Sequence, residues 1–484
     1  MNLKRKAIRG AMWSAIEKWG AQLVSTAIFL LLARLLGAEA FGLVALANVF
    51  LAFMQIFLGQ GFAQAIIQKD ALEPEHLDTA FWTSVLMGTL FILMVFVGAG
   101  AVADLYGKPE LTPIIRWMSI SFLFGGLSSV QSAILKRNMQ FRAFAARSLV
   151  ATVACGLAGV GAALVGLGVW SLVVKELTFG LTGSILLWNL SDWRPSFRFS
   201  PAHFRDLFSF GINIVGSNFL SFFNSRSDDL LIGYFLGPVA LGYYSVAYRL
   251  LLIMIKLLTD VTAQVALPTF SRMQKEPERL RKAFYKVTQY TSLISFPAFL
   301  GMAALAPELV QVLFGEEWIP SIPVMRILAF NGILQSIYFF NGTVFLSTGK
   351  PSWRLFVQSL NVVFNVITFL LLVKWGIVAV AAGFVIRGYL LSPLPPLLIK
   401  KLIHIDLFHY LAQFISPLLA SAAMVACIFA TQSLIKNWAD NNSLILASGT
   451  IVGTLVYAFT LNMISPKIIQ DIKHTLLPRL APSK

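Results

Sequence analysis

The hydrophobic pattern along this chain is a succession of long apolar runs divided by short polar breaks. Each run has about 20 residues, the length that an α-helix needs to cross the hydrocarbon core of a bilayer. The runs are continuous and lack the two-residue alternation of a membrane β-barrel strand, so they predict helices. The pattern predicts about fourteen spans, at residues 12–35, 41–67, 80–103, 112–134, 148–166, 168–190, 207–235, 239–263, 287–313, 321–347, 355–373, 376–398, 409–434 and 443–464.

Composition agrees with the pattern. Hydrophobic residues make up 57% of the chain, charged residues only 12%, and the mean hydropathy is +0.76. These values lie outside the range of soluble globular proteins. The sequence therefore predicts an all-α polytopic membrane protein.

The distribution of Lys and Arg predicts the topology, because cytoplasmic loops of membrane proteins are enriched in basic residues. With the N-terminus inside, most of the 38 basic residues fall on the cytoplasmic side, and the opposite side receives Lys108, Lys374 and Lys436. An even number of spans with both termini in the cytoplasm follows. The net charge of +16 then arises from basic cytoplasmic loops that face anionic lipid headgroups. Nucleic acid is not a predicted partner.

A repeat is visible when the sequence is aligned with itself at an offset of 200 residues. The segment "RLLGAEAFGLVALANVFLAFMQ" from Arg34 aligns without a gap with "YFLGPVALGYYSVAYRLLLIMI" from Tyr234, and Gly42 pairs with Gly242. Both copies begin on the cytoplasmic side, so they predict parallel lobes that rock around a central site. The predicted domains are an N-terminal six-helix lobe, a C-terminal six-helix lobe, and two additional helices with a cytoplasmic tail, at residues 1–200, 201–402 and 403–484.

Polar residues at helical spacing form stripes within three predicted spans, which indicates that each stripe occupies one helix face. The stripes are Asn213, Ser217, Ser221, Asn224 and Asp228; Ser14, Lys18, Gln22 and Ser25, with Glu17 beside them; and Arg354, Gln358, Asn361 and Asn365. Such residues commonly join membrane helices by hydrogen bonds, so packing is one interpretation. A shared polar cavity is the other.

Ionisable residues within the spans favour the cavity, because a charge at membrane depth is costly and usually faces a wet interior. Basic residues outnumber acidic ones there. A low-dielectric cavity with net positive charge attracts anions, and the planar donor fork of Arg suits phosphate. The predicted cargo is therefore negatively charged.

Three segments carry a resemblance to a known family: "RLLGAEAFGLVALA", "SRSDDLLIGYFLGPVALGYYSVAYRL" and "LPTFSRMQKEPERLRKAF". The chain resembles the polysaccharide transporter family of Wzx-type flippases, in its colanic-acid or lipopolysaccharide exporter branch, within the superfamily that holds MATE exporters and lipid II flippases. The resemblance implies a MATE-like fold and transport of an undecaprenyl-pyrophosphate-linked oligosaccharide across the bacterial inner membrane. It implies no enzyme activity and no cofactor. Whether the protein acts alone or beside a polysaccharide polymerase and a chain-length regulator stays open.

Charge and helical spacing supply the candidate site residues. Those expected to bind the pyrophosphate and sugar are Arg226, Arg249, Lys18 and Arg387. Those expected to bond sugar hydroxyls are Asn224, Ser221, Gln358, Asn361 and Asn365. Those expected to bind a coupling H⁺ or Na⁺ are Asp228, Asp229 and Glu17.

Two other functions remain open at this point. A multidrug or organic cation exporter of the same fold would favour an acidic cavity. A polysaccharide polymerase or ligase would carry a long outer loop, whereas the longest predicted outer loop is 101–111. No catalytic residue and no metal site is predicted, and solvated cytoplasmic loop positions are expected for His76, His203, His404, His409 and His474.

Overall fold

A computed structural model describes the backbone of residues 3–58, 62–69, 72–438 and 441–466. The side chains of these residues are described as well, except at 3–18, 209–214, 217 and 259–265. Throughout these ranges every regular element is a helix. The prediction of an all-α chain is confirmed.

The helices form two compact units, of which the first ends at Ser245 and the second begins at Val246. The helices of the first unit are α1 (Leu3–Leu35), α2 (Ala38–Leu58), α3 (Phe62–Gln68), α4 (Pro74–Tyr106), α5 (Leu111–Ser119), α6 (Ser121–Arg137), α7 (Phe141–Leu164) and α8 (Trp170–Leu190). Helix α9 (Pro201–Arg272) begins in this unit and continues into the second.

The remaining helices belong to the second unit. They are α10 (Pro277–Ala304), α11 (Ala306–Leu313), α12 (Ile322–Ser347), α13 (Pro351–Leu372), α14 (Ile377–Leu391), α15 (Leu394–Ile403), α16 (Leu407–Ala412), α17 (Ile415–Lys436) and α18 (Asn442–Ile464), with 3₁₀ turns at Glu316–Ser321 and Val373–Trp375.

Helix α9 is interrupted at Gly237, where φ is 81° and ψ is 176°. This combination is accessible to glycine but strained for residues with a Cβ atom. The interruption lies between the predicted spans 207–235 and 239–263. The sequence therefore located the break correctly, although the two helical stretches follow one another directly.

The repeat has a structural counterpart within the first unit, where α2 begins close to the stretch of α9 after Gly237. A Cβ atom built on Gly42 would lie 1.7 Å from the carbonyl oxygen of Pro238, and one built on Gly242 would lie 1.9 Å from that of Ala38. The contact is reciprocal, as a local two-fold relation requires. Only glycine permits this approach, which explains why both copies of the repeat carry it. The boundaries of the predicted lobes stay a prediction.

The number of membrane spans is smaller than predicted when only the described residues are considered. Eleven of their helices are long and apolar enough to cross a bilayer, or twelve if α10 and α11, which are bent by 76°, form one span. Asn218–Leu258 counts as one of these with 41 residues, about 60 Å of helix or twice the hydrocarbon thickness. The described apolar stretch of α1, Trp19–Leu35, is too short to be counted among them. The chain is a multi-pass membrane protein, and the count of fourteen is not confirmed.

Candidate substrate and ion site

Two adjacent aspartates on α9, Asp228 and Asp229, are buried within the first unit. The hydroxyl of Tyr244 donates a hydrogen bond of 3.0 Å to Asp228 Oδ2. The backbone N–H of Asp229 donates one of 3.0 Å to Asp228 Oδ1. Both carboxylate oxygens of Asp228 are therefore held in place, and this carboxylate is a candidate site for a proton or a small cation.

Arg226 is paired with the second aspartate. Its Nη1 lies 3.0 Å from Asp229 Oδ2. The two residues are three apart in the sequence, a spacing that places side chains next to each other on a helix. This contact compensates the charge of Asp229 and leaves Asp228 as the acidic group of the cluster. Arg226 is consequently a weaker candidate for an anion site than the sequence suggested.

Arg387 is buried on α14 in the second unit. Its Nη1 donates a hydrogen bond to Asn361 Oδ1 on α13, and its guanidinium lies 5.1 Å from the centre of the Phe384 ring. The amide of Asn361 in turn donates to the carbonyl oxygen of Val357 at 2.9 Å, which fixes its orientation. Arg387 and Asn361, two predicted site residues from different spans, are therefore in contact.

The charge of Arg387 is not neutralised by an acid within the described part of the chain, where no carboxylate forms a salt bridge with it. Its buried Nε has no hydrogen-bond partner there. A buried guanidinium with an unused donor is costly unless it meets an acceptor. The geometry therefore suits an anionic ligand.

Two buried polar residues on α12 were not predicted from the sequence. Asn331 and Asn341 are buried, and their amide nitrogens have no hydrogen-bond partner among the described residues. A Cβ atom built on Gly388 would lie 3.9 Å from Asn331 Oδ1, so Asn331 is adjacent to the residue that follows Arg387. The signal was present as two asparagines within the apolar span 321–347, but no stripe led to them.

The other predicted site residues have varied surroundings. Ser221 and Arg249 are exposed, Asn224 and Gln358 are half-buried, and Asn365 is buried on α13. The side chains of Glu17 and Lys18 lie outside the described residues. The binding roles of all these residues, and a cavity shared by the three stripes, stay predictions.

An apolar cavity of about 550 Å³ lies in the second unit between α9, α10, α17 and α18. Its wall includes Leu250, Met254, Leu305 and Ile428, with Tyr457 among the few polar groups. Such a surface attracts hydrocarbon and offers little to a sugar or a phosphate. Arg387 is not among the residues of the cavity wall.

The expectation that the histidines are solvated loop positions is wrong for His76 and His203, which lie in helices with side chains 3% and 18% exposed. His474 lies outside the described residues. His76 is buried in the first turn of α4, and its ring centroid lies 4.0 Å from that of His203 on α9. The two residues are far apart in the sequence, so spacing alone could not associate them.

Comparisons with known proteins agree with this architecture. Residues 31–323 match the model of a family described as "Polysaccharide biosynthesis protein". The succinoglycan biosynthesis transport protein ExoT of Rhizobium meliloti (strain 1021) is 32% identical, over 67% of this chain and 66% of its own length. The lipopolysaccharide biosynthesis protein WzxC of Escherichia coli (strain K12) is 28% identical, over 70% and 69%.

A solved structure shares the fold. The lipid II flippase MurJ, in an inward closed conformation, aligns with a TM-score of 0.78 at 14% identity, over 95% of this chain and 100% of that one. The predicted fold, common to lipid II flippases and MATE exporters, is confirmed. The chain belongs to the polysaccharide biosynthesis protein family, whose Wzx-type members are transporters rather than enzymes.

Proposed function

We propose that this protein moves an undecaprenyl-pyrophosphate-linked oligosaccharide from the cytoplasmic to the periplasmic leaflet, for synthesis of an exopolysaccharide, an O-antigen or a capsule. The observation that carries the proposal is the buried Arg387, with an unused donor and no acidic partner among the described residues. Membership of the polysaccharide biosynthesis protein family, with a relative named as a succinoglycan biosynthesis transport protein, supports the cargo class. A pyrophosphate supplies both the charge and the acceptors that this arginine lacks.

The charge and hydrogen-bonding groups of each side chain indicate which part of the cargo it binds. Arg387, Arg249, Lys18 and Arg226 bind the pyrophosphate and the first sugar, with Arg226 released from Asp229 when it does so. The amides and hydroxyls of Asn361, Asn365, Gln358, Asn224 and Ser221 bond sugar hydroxyls. The polyprenyl chain stays in apolar surroundings, for which the cavity between α9, α10, α17 and α18 is suited.

Transport requires the site to open alternately to each side of the membrane, as in other transporters built from parallel repeats. We assign the coupling-ion role, for H⁺ or Na⁺, to Asp228, with Asp229 and Glu17 as neighbouring acids. The protein then resides in the bacterial inner membrane with both termini in the cytoplasm, where a polymerase and a chain-length regulator act on the same repeat unit.

Competition for binding tests the cargo class. A fluorescent undecaprenyl-pyrophosphate oligosaccharide is bound to the purified protein in detergent and challenged with undecaprenyl pyrophosphate, undecaprenol or an organic cation. We expect the pyrophosphate lipid to compete at least about tenfold better than the alcohol, because a single charge-assisted hydrogen bond is worth about 1.5–3 kcal/mol. Equal competition by the alcohol would show that the headgroup charge is not recognised.

A second candidate function, export of organic cations, has one observation in its favour. Asp228 and Asp229 are both buried, and Arg226 forms a salt bridge with Asp229 only. The first unit therefore contains an acidic group of the type that binds a cationic drug. In the competition experiment, displacement of the label by the organic cation and not by the pyrophosphate lipid would favour this alternative.

A further inference from the structure

Two imidazoles and a carboxylate meet where α9 begins beside the start of α4. Glu73 precedes α4, His76 lies in its first turn, and His203 lies in the first turn of α9. One ligand atom from each of the three lies within 4.8 Å of the others. His203 Nε2 is 3.1 Å from Glu73 Oε2. The Lys and Arg distribution assigns this end of the unit to the cytoplasm.

The 3.1 Å separation of His203 Nε2 and Glu73 Oε2 is close to the spacing of two ligand atoms around a single metal ion. Zn²⁺ bonds to His nitrogen and carboxylate oxygen at about 2.0–2.2 Å, so neighbouring ligand atoms around a tetrahedral ion lie about 3.3–3.6 Å apart. Two histidines and one carboxylate also form a ligand set that divalent transition metals favour over Ca²⁺ or Mg²⁺. Small side-chain movements would bring the three atoms to one ion.

The surroundings distinguish this cluster from a group of solvated surface residues. The side chain of His76 is 3% exposed. The Nδ1 atom of His203 is buried and has no hydrogen-bond partner within the described chain, although Glu75 Oε2 lies 3.8 Å away. Asp206 Oδ2 is 3.5 Å from His76 Nε2. Carboxylates therefore surround the imidazoles and supply the negative charge that a cation needs.

Lys69 places a positive charge beside the cluster of Glu73, His76 and His203. Its ammonium is bonded to Asp206 and lies 2.6 Å from His76 Nε2, and it holds the pKa of the Asp206 carboxyl below its ordinary value. His76 Nδ1 accepts the backbone N–H of Glu73 at 3.3 Å. The Nε2 atom is therefore the nitrogen left for a metal, and Lys69 must withdraw from it.

The segment before α9 is held against α4 by other contacts as well. The backbone N–H of Ser196 donates to Asp78 Oδ1 at 2.9 Å, and Trp82 Nε1 donates to the carbonyl oxygen of Ser196 at 2.8 Å. The rings of Trp82 and Phe197 are stacked with centroids 4.8 Å apart. Because these contacts already fix the position of His203, a metal would bind with little loss of chain entropy.

We propose that Glu73, His76 and His203 bind one divalent transition-metal ion, with Zn²⁺ as the best chemical match, and that the ion joins the start of α9 to the start of α4. The three residues of the site are distinct from those of the proposed cargo and coupling-ion sites, and metal binding does not require the cargo. The bound ion would hold the segment that connects the first six-helix repeat to the second against the start of α4.

Metal binding by the purified full-length protein tests this proposal. The protein, in detergent, with any affinity tag removed and treated with a chelator, is titrated with Co²⁺ by visible absorption and then with Zn²⁺ by competition. We expect one equivalent of Co²⁺ to bind with the spectrum of a nitrogen and oxygen site, and Zn²⁺ to displace it. Thermal unfolding of the same samples should shift upward with metal.

Variants locate the ion. His203→Gln and Glu73→Gln should each weaken binding by at least about 100-fold, since loss of even an outer-shell partner costs 10–100-fold. Lys69→Gln should tighten binding by about fivefold, because it removes a competing positive charge. His409→Gln is the matched control: its imidazole contacts Tyr285 and Gln413, and binding should not change.

Two results would overturn the proposal. One is the absence of a stoichiometric Co²⁺ site in the wild-type protein. The other is binding by His203→Gln that equals that of His409→Gln. His76→Gln is not used to decide, because His76 is buried and its loss can unfold the start of α4.

Discussion

Arg387→Ala should reduce the rate at which the protein flips a lipid-linked oligosaccharide by about 10- to 100-fold, the equivalent of one charge-assisted hydrogen bond of about 1.5–3 kcal/mol. Arg387 is buried and held by Asn361, with an unused donor that the proposed pyrophosphate would occupy. Arg387→Lys should recover only part of the rate, because an ammonium keeps the charge but loses the planar fork. Initial rates in proteoliposomes containing equal amounts of protein measure both.

Arg116→Ala is the matched control for this experiment. It also removes one arginine from a membrane helix, but the Nε atom of Arg116 already donates to the carbonyl oxygen of Phe96 at 3.0 Å. We expect its flipping rate to remain near that of the wild type. A wild-type rate in Arg387→Ala would remove this arginine from the mechanism.

Arg226→Ala should lower the free energy of unfolding by about 2–3 kcal/mol, since it leaves the carboxylate of Asp229 buried and unpaired. This loss is at or below the smallest losses of unfolding free energy found when a buried salt bridge is broken. The reason is that the Arg226 side chain is 43% exposed, whereas that of Asp229 is 9% exposed. Adding Asp229→Ala should restore most of the loss, because no uncompensated charge then remains. Denaturation in detergent of the two single variants and the double variant gives the coupling energy.

The same variants separate two roles for Arg226 when flipping is measured. If Arg226 contacts the cargo, the double variant is stable but transports slowly. If Arg226 only neutralises Asp229, the double variant recovers transport together with stability. A single variant that is as stable as the wild type would contradict the importance of the ion pair.

The sequence was sufficient for the features that depend on local pattern. Apolar run length predicted an all-α membrane protein, and the break at Gly237 followed from the Leu-Gly-Pro interval between two predicted spans. The paired Gly42 and Gly242, 200 residues apart in the sequence, indicated a repeat that the reciprocal backbone contacts support. The residues that carry these signals lie within one helix or at its end, where spacing in the sequence determines their relative positions.

The features that the sequence did not reveal depend on contacts between helices. Spacing placed Asn361 on a polar stripe but could not show that it holds Arg387, because the two lie on different helices. The proximity of His76 and His203 depends on where α9 docks, and Asn331 became a candidate only through its position beside Gly388. Spacing along one helix carries no information about which residue of another helix it contacts.

Flipping of a fluorescent undecaprenyl-pyrophosphate oligosaccharide in proteoliposomes of defined orientation tests the central claim most directly. We expect the wild-type protein to move the lipid from the leaflet equivalent to the cytoplasmic one, and Arg387→Ala to do so slowly. A wild-type protein that leaves the lipid in its original leaflet, yet expels organic cations against a proton gradient, would contradict the account and assign the fold to drug export.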